Sequence, residues 1–235
     1  MTTTTLTVPS ETTTPVVESD IASAHRPLAK YATEAIGTLF LVFTVGASVR
    51  SGNPLAPLAI GSVLMAMIYA GGHVSGAHYN PAVTVAVLVR GRIALRDAVG
   101  YWVAQLCGGL VGALLVDTVI PGHVAPVTLS GHAVVAALVV EAVATFALCF
   151  VVLNVATSKD HPNNSFYGLA IGFTVAACAV AVGSISGGAF NPAVAISGMA
   201  MGLFAGPTLW VYLVAELAAG VAAALAFRAL NPTDR

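Results

Sequence analysis

The sequence contains little charge. Only 8% of its 235 residues are Asp, Glu, Lys or Arg, whereas 57% are hydrophobic. An ordinary soluble domain carries about 25% charged residues. The composition therefore predicts an integral membrane protein. The formal net charge of -1 offers no attraction to a polyanion, so no nucleic-acid partner is expected.

Cysteine is scarce, and catalytic groupings are missing. The three cysteines lie within apolar runs, so they form no disulfide framework and are interpreted as small buried hydrophobes. His73 and His78 have no Cys or carboxylate at ligand spacing, which argues against a metal site. The sequence has no recognisable nucleophile–base pair or glycine-rich phosphate loop, so it predicts neither an enzyme nor a cofactor.

The start of the chain has no apolar run. Residues 1–25 are rich in Thr and lack the basic start and apolar core of a secretory signal peptide. A segment of this composition cannot bury a core. We expect residues 1–29 to be a disordered tail.

Long apolar runs fill the rest of the sequence. Each is near the length of about 20 residues that crosses the hydrocarbon core of a bilayer. Six spans are predicted, at about residues 31–49, 57–72, 97–120, 133–156, 166–182 and 208–228. We expect residues 30–228 to form one membrane domain, followed by a short tail at residues 229–235.

Two copies of one motif interrupt these spans. Asn80-Pro81-Ala82 and Asn191-Pro192-Ala193 each follow a glycine-containing approach and precede a short apolar run. Asn favours a helix N-cap and Pro the first helical position, so each copy predicts the start of a helix. The run after Asn80 ends at Val89, a length of about 15 Å, which is half of a membrane of about 30 Å. We therefore predict two re-entrant half-helices.

Half-helices that meet at mid-depth favour a pore for neutral solutes. Their N-termini place two positive dipole ends there, which disfavours cations and hydronium. A capping Asn uses its side-chain oxygen on backbone N–H groups and leaves its amide NH2 to donate to a solute. Irregular backbone at this depth must line water. These features predict a channel rather than a buried core.

The two halves of the sequence repeat. The pentapeptide at residues 34–38 (Glu-Ala-Ile-Gly-Thr) resembles that at 141–145 (Glu-Ala-Val-Ala-Thr), and Gln105 occupies the place of Glu216. Three spans per repeat is an odd number, so the second half must be inverted relative to the first. The halves are about 30–120 and 133–228.

Together these motifs resemble the major intrinsic protein family of aquaporins and glycerol facilitators, over about residues 30–228. The resemblance implies an all-α membrane protein with six transmembrane helices and two re-entrant half-helices in an inverted repeat. It also implies a homotetramer in membrane lipid, with one pore per subunit. Glu34, Glu141, His73 and His78 are expected to support the re-entrant loops. The aromatic residues near the starts of the third and sixth spans (Tyr101, Trp102, Trp210, Tyr212) are expected to be interfacial anchors.

The sequence departs from the family pattern after the second motif. Most relatives have Arg there, in a narrow ring of four residues, and this chain has Val194. Counting along the motifs places the other three at Ile60, Ala179 and Gly188. Such a ring has no charge and no aromatic side chain, and is similar to that of plant tonoplast-type members. Glycerol facilitators have Asp at the next position, where this chain has Ala195. The alternative is that the loop shifts and another residue fills the ring.

Lys and Arg indicate the orientation. If the N-terminus is cytoplasmic, only Arg50 lies outside, and the cytoplasmic side carries Arg26, Lys30, Arg90, Arg92, Arg96, Lys159, Arg228 and Arg235. Both termini are therefore expected in the cytoplasm, at the plasma membrane. The expected function is passive passage of water and small uncharged solutes such as glycerol, urea, ammonia, hydrogen peroxide or neutral metalloid acids. Two alternatives stay open: an ion-coupled transporter that uses Glu34, Glu141 or Glu216, and a structural membrane protein with a closed pore.

Overall fold

The computed structural model describes residues 18–234, with side chains from residue 28 onward. This part of the chain contains eight α-helices and no strand. They are α1 (Glu18–Arg50), α2 (Ala56–Ser75), α3 (Pro81–Arg90), α4 (Leu95–Val119), α5 (His132–Val152), α6 (Tyr167–Ser186), α7 (Pro192–Ala200) and α8 (Leu209–Leu230). A π-helical turn, Leu153–Thr157, continues α5, and a 3-10 turn, Gly206–Thr208, leads into α8.

Six of these helices are long and apolar enough to cross a membrane. The candidate spans are Leu28–Arg50, Ala56–Ser75, Leu95–Val119, His132–Thr157, Tyr167–Ser186 and Gly206–Leu230. Helices α3 and α7 have only 10 and 9 residues, and reach about 15 Å. The predicted pattern of six spans and two half-helices is confirmed.

Two spans are longer than the sequence predicted. Helices α2 and α6 continue to Ser75 and Ser186, about one turn beyond the expected ends at 72 and 182. Each helix ends where the next glycine, Gly76 or Gly187, adopts a left-handed conformation with φ of 85° or 92°. A left-handed glycine is a common helix stop, and the glycines earlier in the run do not stop the helix.

The N-terminal prediction requires a correction. Residues 1–17 lie outside the described part of the chain, but α1 begins at Glu18, so residues 18–29 of the expected disordered tail are helical. Extending an existing helix adds hydrogen bonds without a new nucleus, whereas starting one is costly. The apolar span that follows therefore supports helix in a polar segment that would not form one alone.

The inverted repeat is visible where α2 and α6 cross. Gly61 and Gly172 face each other, and a Cβ built on either would lie 2.5 Å from the carbonyl oxygen of the other. The same hydrogen bond also occurs in both halves. Tyr101 donates to the Ser75 carbonyl at 2.5 Å, and Tyr212 to the Ser186 carbonyl at 2.6 Å.

These contacts correct the assignment of the tyrosines as interfacial anchors. Tyr101 and Tyr212 are buried and bind the last carbonyls of α2 and α6, whereas Trp210 is exposed. A tyrosine near the start of a span fits either role by sequence, because its ring is apolar and its hydroxyl needs one partner.

The outer surface of the bundle is apolar, as a membrane protein requires. Large hydrophobic side chains such as Phe40, Leu114 and Phe173 are exposed. Cys107 shares this exposed surface and Cys178 is half-buried, so only Cys149 matches the expected buried hydrophobe. In a membrane protein an apolar residue can face either the lipid or the protein interior, and the sequence does not distinguish these two environments.

An ionic cluster, which we call the Asp234 latch, lies at the end of the bundle where α1 begins and α8 ends. Asp234 Oδ1 accepts hydrogen bonds from Arg90 at 2.6 Å and Arg92 at 3.2 Å, and Oδ2 accepts the Lys159 N–H at 2.9 Å. The Arg90 guanidinium also stacks on the Phe227 ring at 4.5 Å. The latch thus joins the end of α8 to the α3–α4 and α5–α6 loops.

Candidate functional site

The two half-helices begin at the predicted asparagines. Asn80 caps α3, and its Oδ1 accepts from the N–H groups of Ala82 at 2.8 Å and Val83 at 3.4 Å. Asn191 caps α7 in the same way, with Ala193 as donor at 2.9 Å. In each case a proline occupies the first helical position, where it has no N–H to leave unpaired.

Each asparagine also reaches the opposite loop. Asn80 Nδ2 donates to the Phe190 carbonyl at 2.9 Å, and Asn191 Nδ2 donates to the Tyr79 carbonyl at 2.8 Å. The N-termini of α3 and α7 therefore meet in the interior, where both asparagines are 4% exposed. The expectation of a wholly free NH2 group was wrong. One N–H of each amide binds the other loop, and one remains.

The loops that precede the half-helices are strained. Ala77, Tyr79 and Phe190 have φ of 52°, 49° and 51°, in the left-handed region that side chains rarely adopt, and Gly188 has φ of 69°. Each such residue costs about 1–3 kcal/mol and persists only where its surroundings hold it. The strain turns the carbonyls of Tyr79 and Phe190 toward the asparagines.

The predicted carboxylate Glu34 holds the first loop. Its Oε1 accepts from the Ser75 hydroxyl at 2.7 Å and the His78 N–H at 2.9 Å. Its Oε2 accepts from the Tyr79 N–H at 2.7 Å and Gln105 Nε2 at 2.8 Å. Four donors thus converge on one buried carboxylate, which offsets the cost of the strained backbone.

Glu141 does the same for the second loop. Its Oε1 accepts from the Ser186 hydroxyl at 2.6 Å and the Ala189 N–H at 3.0 Å, and its Oε2 accepts the Phe190 N–H at 2.8 Å. Both glutamates are fully buried, as polar groups inside a membrane must be when they face protein rather than lipid.

The two histidines differ in their placement. The His78 ring lies in the loop, with Nδ1 at 3.0 Å from the Thr84 hydroxyl and its edge against Tyr101. His73 lies in the last turn of α2 and is exposed. Among the described residues no hydrogen bond joins its side chain to the loop, so it does not support the loop as expected. The reason is the extra turn of α2, which makes residue 73 helical.

The four expected ring residues line one cavity. This cavity has a volume of about 550 Å³ and opens at the end of the bundle opposite the Asp234 latch. Ile60 and Ala179 contribute from α2 and α6, and Gly188 and Val194 from the second loop and α7. Asn80 and Asn191 lie at its inner end. Of the described residues that line it, none is Asp, Glu, Lys or Arg.

A second cavity, of about 540 Å³, opens at the Asp234-latch end. In contrast to the first, it has charged side chains in its wall, including Lys30, Arg92 and Asp97. His78 and Val152 line both cavities. The two spaces therefore adjoin at these side chains, close to the meeting point of the half-helices.

Sequence reasoning missed several residues that build the site. Ser75 and Ser186 each donate to a loop glutamate, and Gln105 joins Glu34 to the Thr84 hydroxyl at 3.1 Å. A full alignment of the two halves carries the signal, since Ser75 pairs with Ser186 and Tyr101 with Tyr212 at one constant offset.

Known proteins are similar to this chain in sequence. A family model described as major intrinsic protein matches residues 20–227. A glycerol uptake facilitator protein-like 6 from Lactiplantibacillus plantarum is 38% identical over 218 residues, which cover 87% of this chain and 99% of that protein. Aquaporin NIP1-4 from Oryza sativa subsp. japonica is 36% identical over 209 residues, which cover 85% of this chain and 76% of that protein.

A solved structure supports the fold. The aquaglyceroporin from Plasmodium falciparum matches with a TM-score of 0.71 at 23% identity, over 86% of this chain and 95% of that chain. Six spans and two meeting half-helices define a multi-pass membrane channel for water and small solutes. Within that class, the chain belongs to the major intrinsic protein family, whose members are channels rather than enzymes.

Proposed function

We propose that this protein conducts water and small neutral solutes, glycerol among them, through a wide and uncharged filter formed by Ile60, Ala179, Gly188 and Val194. The observation that carries the proposal is the cavity wall, which joins these four residues to Asn80 and Asn191 and is free of Asp, Glu, Lys and Arg among the described residues. A glycerol-sized solute needs open space at the four-residue filter, and bulky or charged side chains at these positions would fill that space.

Gly188 sets the width of the filter on the loop side. A Cβ at this position would lie 3.3 Å from the Phe190 ring and from the Gly183 Cα, and its φ of 69° favours glycine. Val194 places two methyl groups where a guanidinium would bring five N–H donors. The filter therefore discriminates only weakly between neutral solutes of different size. It excludes ions strongly, because its apolar wall cannot replace an ion's hydration shell.

Protons and ions are excluded by the meeting half-helices. Their N-termini carry about half a unit of positive charge each, and the remaining N–H of Asn80 and of Asn191 donates to a passing water. A water that accepts from both asparagines presents its own hydrogens outward, which interrupts a proton wire. The acidic residues Glu34, Glu141 and Glu216 do not line either cavity, which favours a channel over an ion-coupled transporter.

The assembly and location follow from the family resemblance and from the charges. The exposed apolar surface is covered by lipid and by neighbouring subunits of a homotetramer. Lys30, Arg90, Arg92 and Lys159 share one end of the bundle, and by the positive-inside rule this supports our proposal that this end faces the cytoplasm at the plasma membrane.

The test is light scattering by proteoliposomes after an osmotic step, with water and glycerol compared in one preparation. Fast shrinkage followed by fast reswelling in glycerol is the expected result. Fast water flux without glycerol flux would contradict the wide filter. No flux of either solute in folded protein would favour the closed-pore alternative.

The V194R variant tests the ring assignment. The added guanidinium should narrow the filter and reduce glycerol flux by a larger factor than water flux. The matched control is Val180→Leu, because Val180 borders the same cavity but lies outside the proposed ring. An unchanged glycerol-to-water ratio in V194R would contradict the assignment of Val194 to the filter.

A further inference from the structure

Glu216 occupies an unusual place in the repeat. It lies on α8 at the position that Gln105 holds on α4, and both side chains are fully buried. In the first half, Gln105 Nε2 donates to Glu34 Oε2, the oxygen that also accepts the Tyr79 N–H. An amide can make this contact because its NH2 group is a donor.

In the second half a carboxyl group must make the equivalent contact. Glu216 Oε1 accepts the Asn191 N–H at 3.0 Å. Its Oε2 is buried and meets no donor among the described residues. The neighbouring ionisable group is the Glu141 carboxyl, which the repeat sets opposite Glu216 as Glu34 lies opposite Gln105. Among the described residues, Glu141 Oε2 in turn accepts only the Phe190 N–H, so the fourth donor that Glu34 has is missing from this set.

We propose that Glu216 binds a proton and donates it from Oε2 to Glu141, so that the pair holds one proton and positions the backbone of Asn191. A protonated carboxyl has nearly the shape of the Gln105 amide, and restores in the second half the hydrogen bond seen in the first. Burial and mutual repulsion both oppose a second negative charge on two neighbouring buried carboxyl groups.

Among the described residues, no cation lies close enough to the pair to neutralise it in another way. Helix α5 brings Glu141 and Cys149 to this region, and α8 itself brings Tyr212, whose hydroxyl binds the Ser186 carbonyl. Among the described residues of α3 and α7, which also pack against α8, only Arg90 is charged. Arg90 is engaged by Asp234 and Phe227, at the far end of α8.

The consequence concerns one of the two pore asparagines. Asn191 has its N–H held by Glu216, whereas Gln105 Oε1 accepts no hydrogen bond among the described residues. A proton on Oε2 lets Glu216 face Glu141 without repulsion while Oε1 holds Asn191. Glu216 is thus a positioning residue, and the proton is part of the folded structure.

Infrared difference spectroscopy of the full-length protein in lipid tests this directly. A protonated carboxyl has a carbonyl stretching band that a carboxylate lacks. We expect the wild-type spectrum to contain a band that shifts in D2O and disappears in E216Q, since the side-chain amide of that variant supplies the donor without a bound proton. The absence of such a difference would overturn the proposal.

The chain offers a matched control in the other half. The Q105E variant gives the first half the same carboxyl side chain that the second half has at residue 216. Its infrared spectrum should therefore gain a second protonated-carboxyl band. A folded Q105E protein without the extra band would contradict the equivalence of the two positions. This spectroscopic measurement does not depend on flux, so it stands apart from the proposed solute selectivity.

Water flux provides the functional readout. E216L removes both the acceptor for Asn191 and the donor for Glu141, and should reduce flux several-fold, whereas E216Q should restore most of it. Equal flux in wild type, E216L and E216Q would overturn the positioning role. If E216L does not fold, the comparison of E216Q with E216A gives the same contrast.

Discussion

Single side chains inside this bundle accept hydrogen bonds from several buried donors at once. Glu34 receives four hydrogen bonds and has no exposed surface, so its removal leaves several buried donors without a partner. Each unsatisfied donor costs about 1–3 kcal/mol. We expect E34L to lower the midpoint of thermal unfolding strongly and to abolish water flux, and E34Q to be intermediate because it retains one acceptor oxygen.

The measurement is thermal unfolding in detergent, with osmotic flux of reconstituted protein in parallel. His73→Leu is the control, since His73 is exposed and lies outside the loop. A near-wild-type midpoint for E34L would mean that the strained loop holds its shape without the carboxylate.

The sequence predicted some residues well and others not at all. Asn80 and Asn191 were identifiable because an Asn directly before Pro predicts the N-terminus of a helix from local sequence alone. Glu34 was identifiable because acids are rare in spans. His73 was misplaced because helix ends are set by backbone conformation at Gly76, which composition does not reveal. The tyrosine pair was wrongly assigned to the membrane interface, because burial depends on which side of a helix meets a neighbour.

At the scale of elements, the half-helices are held at both ends. Their N-termini are capped by asparagine, and arginines reach the last carbonyls. Arg50 donates to the Met201 carbonyl at 2.7 Å, and Arg228 donates to the Val89 carbonyl at 3.3 Å. Positive charge at a helix C-terminus complements the macrodipole, so each short helix is stabilised by a cation from a long one.

The R50M variant tests this arrangement. Arg50 also pairs with Asp117. The Arg50 side chain is 2% exposed but the Asp117 side chain is 41% exposed, so water screens the acidic partner and we expect the pair to contribute about 1 kcal/mol or less. The partly buried, charge-assisted bond to Met201 contributes about 1.5–3 kcal/mol. We therefore expect R50M to destabilise the protein by about 2 kcal/mol in chemical unfolding, and Asp117→Asn by less than about 1 kcal/mol. Equal effects would assign the stability to the ion pair instead.

The Asp234 latch makes a prediction about pH. Burial tends to raise the pKa of Asp234, but hydrogen bonds from the Lys159 N–H, the Ser158 hydroxyl and Arg90 outweigh it and lower the pKa from 3.8 to about 2. A lowered folded-state pKa stabilises the protein above the ordinary value, and this contribution is lost as the pH falls through about 2. The latch should therefore stay closed throughout the neutral and mildly acidic range.

Hydrogen exchange of the Lys159 amide measures the latch. D234N removes the carboxylate charge at every pH, so we expect faster exchange around residue 159 at neutral pH, and no change in wild type between neutral and mildly acidic pH beyond the intrinsic rate. Asp160→Asn in the same loop is the control, because Asp160 is exposed and takes no part in the latch. Unchanged exchange in D234N would show that the loop is held by other contacts.

Elements were more predictable than their ends. Six apolar runs gave six spans because hydrocarbon imposes one length on every crossing helix. The helical residues 18–29 were not predicted, because a polar extension gains its stability from the apolar helix it continues. The latch was not predicted either, since Asp234 and Arg90 are distant in sequence and meet only after the whole bundle has formed.

At the scale of the molecule, the two halves meet through glycine. Gly172→Ala would place a methyl group 2.5 Å from the Gly61 carbonyl and force α2 and α6 apart. Overpacking of this kind costs about 1–3 kcal/mol, more than the gain of about 1 kcal/mol from the better helix propensity of Ala. We expect a lower unfolding midpoint in G172A, with Gly206→Ala unchanged because its Cβ has room.

The bonds between the asparagines and the opposite loops also constrain how the protein is made. Asn80 needs the Phe190 carbonyl, which is 110 residues further along the chain. A ribosome adds about 5–20 residues per second, so the first half must wait roughly 5 to 20 s for that acceptor to be synthesised. During this interval the first loop lacks the partner that it has in the folded protein. The nascent first half, with its unpaired polar loop, is therefore the stage most exposed to recognition by cellular quality control. The rate at which the ribosome synthesises the segment between the two halves then affects the yield of folded protein.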